Sequence, residues 1–83
     1  MLISFDPEAM SLYIQVKNAK VKRTVEIAPE TFIDIDADGD LIGVEMLRPG
    51  RLTILKKIAA QYNSPNLKNI PLEYLPKAFA HAA

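Results

Sequence analysis

Apolar and polar residues alternate from Ile3 to Leu47, and the alternation ends at Arg48-Pro49-Gly50. A period of two belongs to strands with one buried face and one wet face. This confines the first half of the chain to an antiparallel sheet. Ile3 and Phe5 alternate with Leu2 and Ser4. Leu12, Ile14 and Val16 alternate with Tyr13, Gln15 and Lys17. Val21, Arg23, Val25 and Ile27 oppose Lys22, Thr24 and Glu26, with Val25 and Ile27 the expected inward pair. The breaks have a local cause. In Asp6-Pro7-Glu8-Ala9 the proline is pre-set for a turn and the aspartate can cap it. Lys17-Asn18-Ala19-Lys20 is a polar break that reads as the next turn. Pro29 ends the third run, because proline cannot donate to a central ladder.

Thr31 to Asp36 and Leu41 to Leu47 flank Ala37-Asp38-Gly39-Asp40. Asp-Gly between apolar runs signals a hairpin, since a type I′ turn requires positive φ at both central residues. With Asp38-Gly39 as a two-residue loop, Ile35 faces Ile42 and Ile33 faces Val44, all on one side. Asp34 then faces Gly43, and Asp36 faces Leu41, on the other. A shift by one residue would bring Gly43 and Glu45 to the core face, which is poor.

After Gly50 the spacing becomes helical. Leu52, Leu55, Ala59 and Tyr62 recur on one stripe that Ile54 and Ile58 widen. Ser64-Pro65-Asn66 stops this helix near Asn63. Pro71 and Pro76 break the tail, where a short helix can start at either proline. The expected architecture is one α+β domain. It comprises an antiparallel β-meander of four to five strands (1–48), a C-terminal helix packed on the sheet (51–63) and a Pro-broken helical tail (64–83).

At 83 residues such a domain buries only about 60% of the surface of its unfolded chain. Domains this small gain stability from disulfides, a metal or a second subunit. Without cysteine there is neither a disulfide nor a thiolate zinc site, a composition that fits the cytoplasm. Ten basic and ten acidic side chains cancel, which is not the footprint of a nucleic-acid or anionic-membrane binder. The first six residues carry no basic n-region and no long apolar run, so no signal peptide is expected. No stretch approaches the roughly 20 apolar residues of a membrane span.

Phe5-Asp6-Pro7-Glu8-Ala9, Leu12-Tyr13-Ile14, Thr24-Val25-Glu26, Asp34-Ile35-Asp36-Ala37-Asp38-Gly39 and Ile42-Gly43-Val44-Glu45 together resemble a bacterial family. It is the domain-of-unknown-function family two-two-eight-three. The resemblance spans about Ile3 to Leu47 and implies a small β-meander with a helix and no established activity. It also implies an antitoxin-like relationship to a small protein partner. Met10, and Thr31-Phe32, depart from the family pattern, and the segment after Pro49 is not covered.

One motif invites a sharper hypothesis. Asp34-Ile35-Asp36-Ala37-Asp38-Gly39-Asp40-Leu41-Ile42-Gly43-Val44-Glu45 fits the calcium-loop template, with carboxylates at Asp34, Asp36, Asp38 and Glu45 and a glycine at the sixth position. The context opposes it. Such a loop needs a helix on each side, yet both flanks alternate as strands, and Ile42 stands where a ligand is usual. On a strand, Asp34 and Asp36 are about 7 Å apart. The hairpin with a solvated carboxylate face is therefore favoured, and no metal or cofactor is expected. Asp34, Asp36, Asp38 and Glu45 remain the alternative ion site.

Other constellations are weaker. His81 is the single histidine and sits near the C-terminus. With no cysteine and no glycine-rich loop, no Ser-His, Cys-His or phosphate-cradling arrangement can be built. Glu26, Asp34, Asp36 and Glu45 could pair for acid–base work only if burial separated their pKa values. Lys17, Lys20, Lys22 and Arg23, beside Tyr13, could touch nucleic acid, but a solvated turn fits neutral charge better. Ile54, Leu67, Ile70, Leu72, Leu75 and Phe79 exceed what one small sheet face covers, which points to a partner. The leading expectation is a non-enzymatic protein-interaction module that is a homo-oligomer, by default a two-fold dimer. The alternatives are an ion-binding or small enzymatic domain using surface carboxylates, and a weak nucleic-acid binder.

Overall fold

The computed structural model describes residues 1–47 and 53–70. One antiparallel sheet contains β1 (Leu2–Asp6), β2 (Ser11–Gln15), β3 (Arg23–Ala28), β4 (Thr31–Ile35) and β5 (Leu41–Leu47). Two helices follow, α1 (Thr53–Gln61) and α2 (Pro65–Lys68). The α+β architecture of an antiparallel sheet with a helix packed after it is thus present. The spatial order is β1-β2-β5-β4-β3. Consecutive strands pair within β1–β2 and within β3–β4–β5, while β2 takes β5 as its second neighbour. Composition explains why β5 is central: Leu41, Ile42, Gly43, Val44 and Met46 are all buried, and a strand covered on both faces belongs in the middle of a sheet. Residues 16–22 are consequently a connection past the β4–β5 hairpin rather than a tight turn. The N–H groups of Val16 and Lys17 both donate to the Ile42 carbonyl, at 2.8 and 3.2 Å, and that of Lys22 donates to Ile35 at 2.8 Å.

The first turn forms as its residues dictate. The Asp6 carboxylate accepts from the N–H groups of Glu8 and Ala9, and Met10 closes the turn at φ 53°. Pro29-Glu30 links β3 to β4, with Ala28 opposite Thr31. Proline first and a left-handed residue second (Glu30, φ 58°) is the type II pattern.

The β4–β5 hairpin differs from the two-residue reading. Ile33 faces Val44 and Asp34 faces Gly43 as expected, but a bulge then pairs Ile35 with Leu41, not Ile42. Gly39 N–H donates to the Asp36 carbonyl, and Asp36 N–H to the Asp40 carbonyl. In this loop only Gly39 has positive φ, at 85°. The loop is therefore Ala37-Asp38-Gly39, a turn followed by a left-handed glycine that forms a bulge. A type I′ turn would require positive φ at Asp38 also, and glycine alone adopts it without steric cost.

One face of the sheet carries the core. Leu12, Ile14, Ile33, Ile35, Val44 and Met46 pack with Leu55, Ile58, Ala59 and Leu67 of the helices. On β3, Val25 joins this packing, but Ile27 lies in a bulge between Glu26 and Ala28 and is 36% exposed. The expected inward pair is thereby reduced to Val25. Helix α1 is stopped by Asn63, two residues past its end, in the left-handed conformation, φ 52°, with Ser64 N–H bonded to the Ala59 carbonyl, a Schellman-type stop. Pro65 then opens α2 in the first turn, where its missing N–H costs nothing. This short helix starts earlier than either expected proline. Pro71 and Pro76, with Leu72, Leu75, Phe79 and His81, lie outside the described residues, as does Leu52. Of the apolar surplus, Leu67 is fully buried and Ile54 and Ile70 pack against the core. Among the described residues no helix is long and apolar enough to cross a membrane.

Candidate functional site

Both described helices occupy the core face, so among the described residues the opposite face is built from strand residues alone. Register and alternation place Ser4, Tyr13, Glu45, Phe32 and Glu26 in one row across all five strands. The adjacent row is Leu2, Gln15, Gly43, Asp34 and Thr24. Tyr13 reaches diagonally over β5. Its hydroxyl donates to the Asp34 carboxylate at 2.8 Å, and Thr24 donates to the other Asp34 oxygen at 2.5 Å. The path passes over Gly43, where an added Cβ would collide with the Tyr13 ring and lie 2.9 Å from the Ile14 carbonyl. Partial burial, then the Asp34 hydrogen bond and charge, then the Glu45 charge, push the Tyr13 phenol well above its usual range. The phenol is thus a hydrogen-bond donor and not a base.

A second cluster lies in the β4–β5 loop. Asp36 Oδ1 accepts from the N–H groups of Asp38 and Asp40, each at 2.9 Å. Its Oδ2 binds the Lys17 ammonium at 2.6 Å, which also lies 3.5 Å from Asp40. The Lys17 hydrogen bond, followed by the backbone donors, holds the Asp36 carboxyl below its usual range. The same bond raises the Lys17 ammonium. An Asp side chain that ties two loop N–H groups and a cation fixes this hairpin end to the β2–β3 connection.

The four candidate ion ligands are distributed as follows. Asp34 and Glu45 stand on strands of the outer face, and both Asp34 oxygens are engaged. Asp36 is buried in the loop, and Asp38 is exposed at its tip. The carboxylates that converge are Asp36, Asp38 and Asp40, with oxygens within 4.8 Å of one another. The template overlooked Asp40 because its spacing assumes a helix-flanked loop. Lys17 sits against this trio and supplies its countercharge. Of the basic residues considered for nucleic acid, Lys17 is committed to Asp36, while Lys20, Lys22 and Arg23 are exposed. Glu26 accepts from Glu30 N–H at 3.3 Å. A separate cleft of about 750 Å³ opens between the β3–β4 turn and α1, lined by Ile27, Pro29, Met46, Ile54, Lys57 and Ile58 among others.

The family model for the protein of unknown function DUF2283 matches residues 2–48. The chain belongs to this family. The DUF2283 match spans the whole sheet, β1 to β5, and stops before α1. Both outer-face rows and the Lys17–Asp36 loop therefore lie inside the DUF2283 region. No curated protein and no solved structure matches the chain.

Proposed function

We propose that this chain is a non-enzymatic protein-interaction module that assembles as a homodimer and, antitoxin-like, engages a small protein partner. The observation carrying this reading is that both described helices cover one face of the sheet. Among the described residues the other face is left to half-buried Tyr13, Phe32 and Leu47 with polar neighbours. Two of the four carboxylates that could pair for acid–base chemistry serve structure: Asp34 holds Tyr13 and Thr24, and Asp36 holds its own loop and Lys17. A cytoplasmic location suits a cysteine-free chain of this kind.

The edges suggest how two copies meet. Strand β3 is guarded by a bulge and by Arg23 and Glu26. Strand β1 has no bulge, lysine or proline and exposes Leu2, the kind of edge that invites another strand. Light scattering across a concentration series is expected to show a dimer that Leu2→Lys with Ser4→Lys dissociates. A monomer at high micromolar concentration removes the homodimer.

The convergence of Asp36, Asp38 and Asp40 favours one second reading, a weak cation site at the loop. Lys17 would have to be displaced to fill it, so calcium calorimetry should show nothing tighter than roughly millimolar. A micromolar isotherm abolished by Asp36→Asn would establish the ion site instead.

A further inference from the structure

The row Ser4, Tyr13, Glu45, Phe32, Glu26 sets a carboxylate between two aromatic rings. Directly opposed residues on neighbouring strands have Cβ atoms about 4.5–5.5 Å apart. The Glu45 side chain therefore stands within side-chain reach of both Tyr13 and Phe32. It is half-buried, and among the described residues it has no hydrogen-bond or ion-pair partner.

Charge on this face is of one sign. Asp6, Glu26, Asp34 and Glu45 project from its strands, and no lysine or arginine does. The described cations lie elsewhere: Lys17, Lys20 and Lys22 in the β2–β3 connection, Arg23 opposite Ile35 on the core side of β3, Lys56 and Lys57 on α1, and Lys68 on α2. Among the described residues the outer sheet face is therefore acidic and aromatic, and the cations lie off it. Such a face raises the encounter rate with cationic surfaces and repels anionic ones.

We propose that the outer sheet face docks an arginine-bearing segment of another protein, with a guanidinium seated between Tyr13 and Phe32 and paired to Glu45. This rests on the interaction-module reading and names the chemistry of its partner. Arginine fits better than lysine, because its planar group stacks on aromatic faces and bonds a carboxylate bidentately. A second copy applied face to face would set carboxylates against carboxylates, and nucleic acid would meet four of them. The cationic polypeptide is the occupant that the charges complement.

The test is an NMR titration of the isotope-labelled full chain at low salt with an Arg-Ser-Leu repeat peptide, its lysine counterpart and its glutamate counterpart. The arginine peptide is expected to shift the amides of Tyr13, Phe32 and Glu45 and to bind more tightly than the lysine peptide. The glutamate peptide should leave those amides unmoved. Raising the salt to about 0.5 M should weaken binding severalfold, because surface charge is screened. Glu45→Gln and Phe32→Leu, each checked for a native amide spectrum, should weaken it about threefold to tenfold. Shifts confined to other surfaces, equal response to the glutamate peptide, or unchanged binding by Glu45→Gln would overturn the proposal. If the arginine peptide does nothing while the chain still dimerises, the cationic partner falls and the interaction module stands. A monomer that ignores every peptide removes both.

Discussion

The Tyr13 hydroxyl lies directly over Gly43, in the space a Cβ would fill, on its way to Asp34. A glycine in the central strand, which would ordinarily weaken a sheet, is here the gap that lets β2 and β4 join across β5. Gly43→Ala is expected to destabilise the fold by about 1–3 kcal/mol, the usual range for overpacking. Tyr13→Ala in the same chain should relieve part of that loss, and a double-mutant cycle by urea denaturation measures the coupling. Strict additivity would show that the two residues do not compete for the space.

Tyr13→Phe removes only the donor to Asp34. For a half-exposed bond to a carboxylate, a loss of about 1 kcal/mol is expected. The pH dependence has a definite sign. The folded-state phenol titrates above the unfolded value of 10.0. Its contribution is therefore complete below about pH 10 and is lost as pH rises further. The wild-type advantage over Tyr13→Phe should shrink on raising the pH from 9 to about 11 in denaturation experiments. A constant difference would mean that folding does not raise the phenol above its unfolded value.

Asp36 has the opposite sign. Its carboxyl is depressed below the ordinary 3.8 by Lys17 and the loop N–H groups. It stabilises the fold above that value and ceases to do so as pH falls through the lower folded-state pKa. Asp36→Asn should flatten the acid limb of a stability profile below about pH 4. Lys17→Met should have a similar but smaller effect, since the backbone donors remain. An unchanged acid limb in Asp36→Asn would place the acid sensitivity elsewhere.

Gly39 provides a contrast with Gly43. No atom lies within 4 Å of where its Cβ would stand, but its φ is +85°. Gly39→Ala should cost about 1 kcal/mol through backbone strain alone. Gly39→Asn should cost less, because asparagine tolerates the left-handed region. Thermal unfolding of both variants checks the order, and equal losses would point to something other than φ.

The division between local and distant information runs through particular residues. Alternation sufficed to put Leu12, Ile14, Ile33 and Val44 on one buried face and Tyr13, Asp34 and Glu45 on the other, because side-chain direction on a strand is a local property. Turn chemistry at Asp6-Pro7 and Pro29-Glu30 and the helix stop at Asn63 were legible for the same reason. The bulge that pairs Ile35 with Leu41, and the one that leaves Ile27 exposed, were not, since each depends on the partner strand's register. Nor was the fate of Leu67, which a second short helix carries into the core.

The alternation in the chain was enough to locate the five strands, to assign the face of most of their side chains, and to show that a helix follows the sheet. Assembly of the sheet alone pairs β2 with β5, and so brings Tyr13 to Asp34 over Gly43, Lys17 to Asp36, and Glu45 between Tyr13 and Phe32. These contacts join residues far apart in the chain. What brings them together is the pairing of β5 with both β2 and β4, strands whose register is settled only in the assembled sheet.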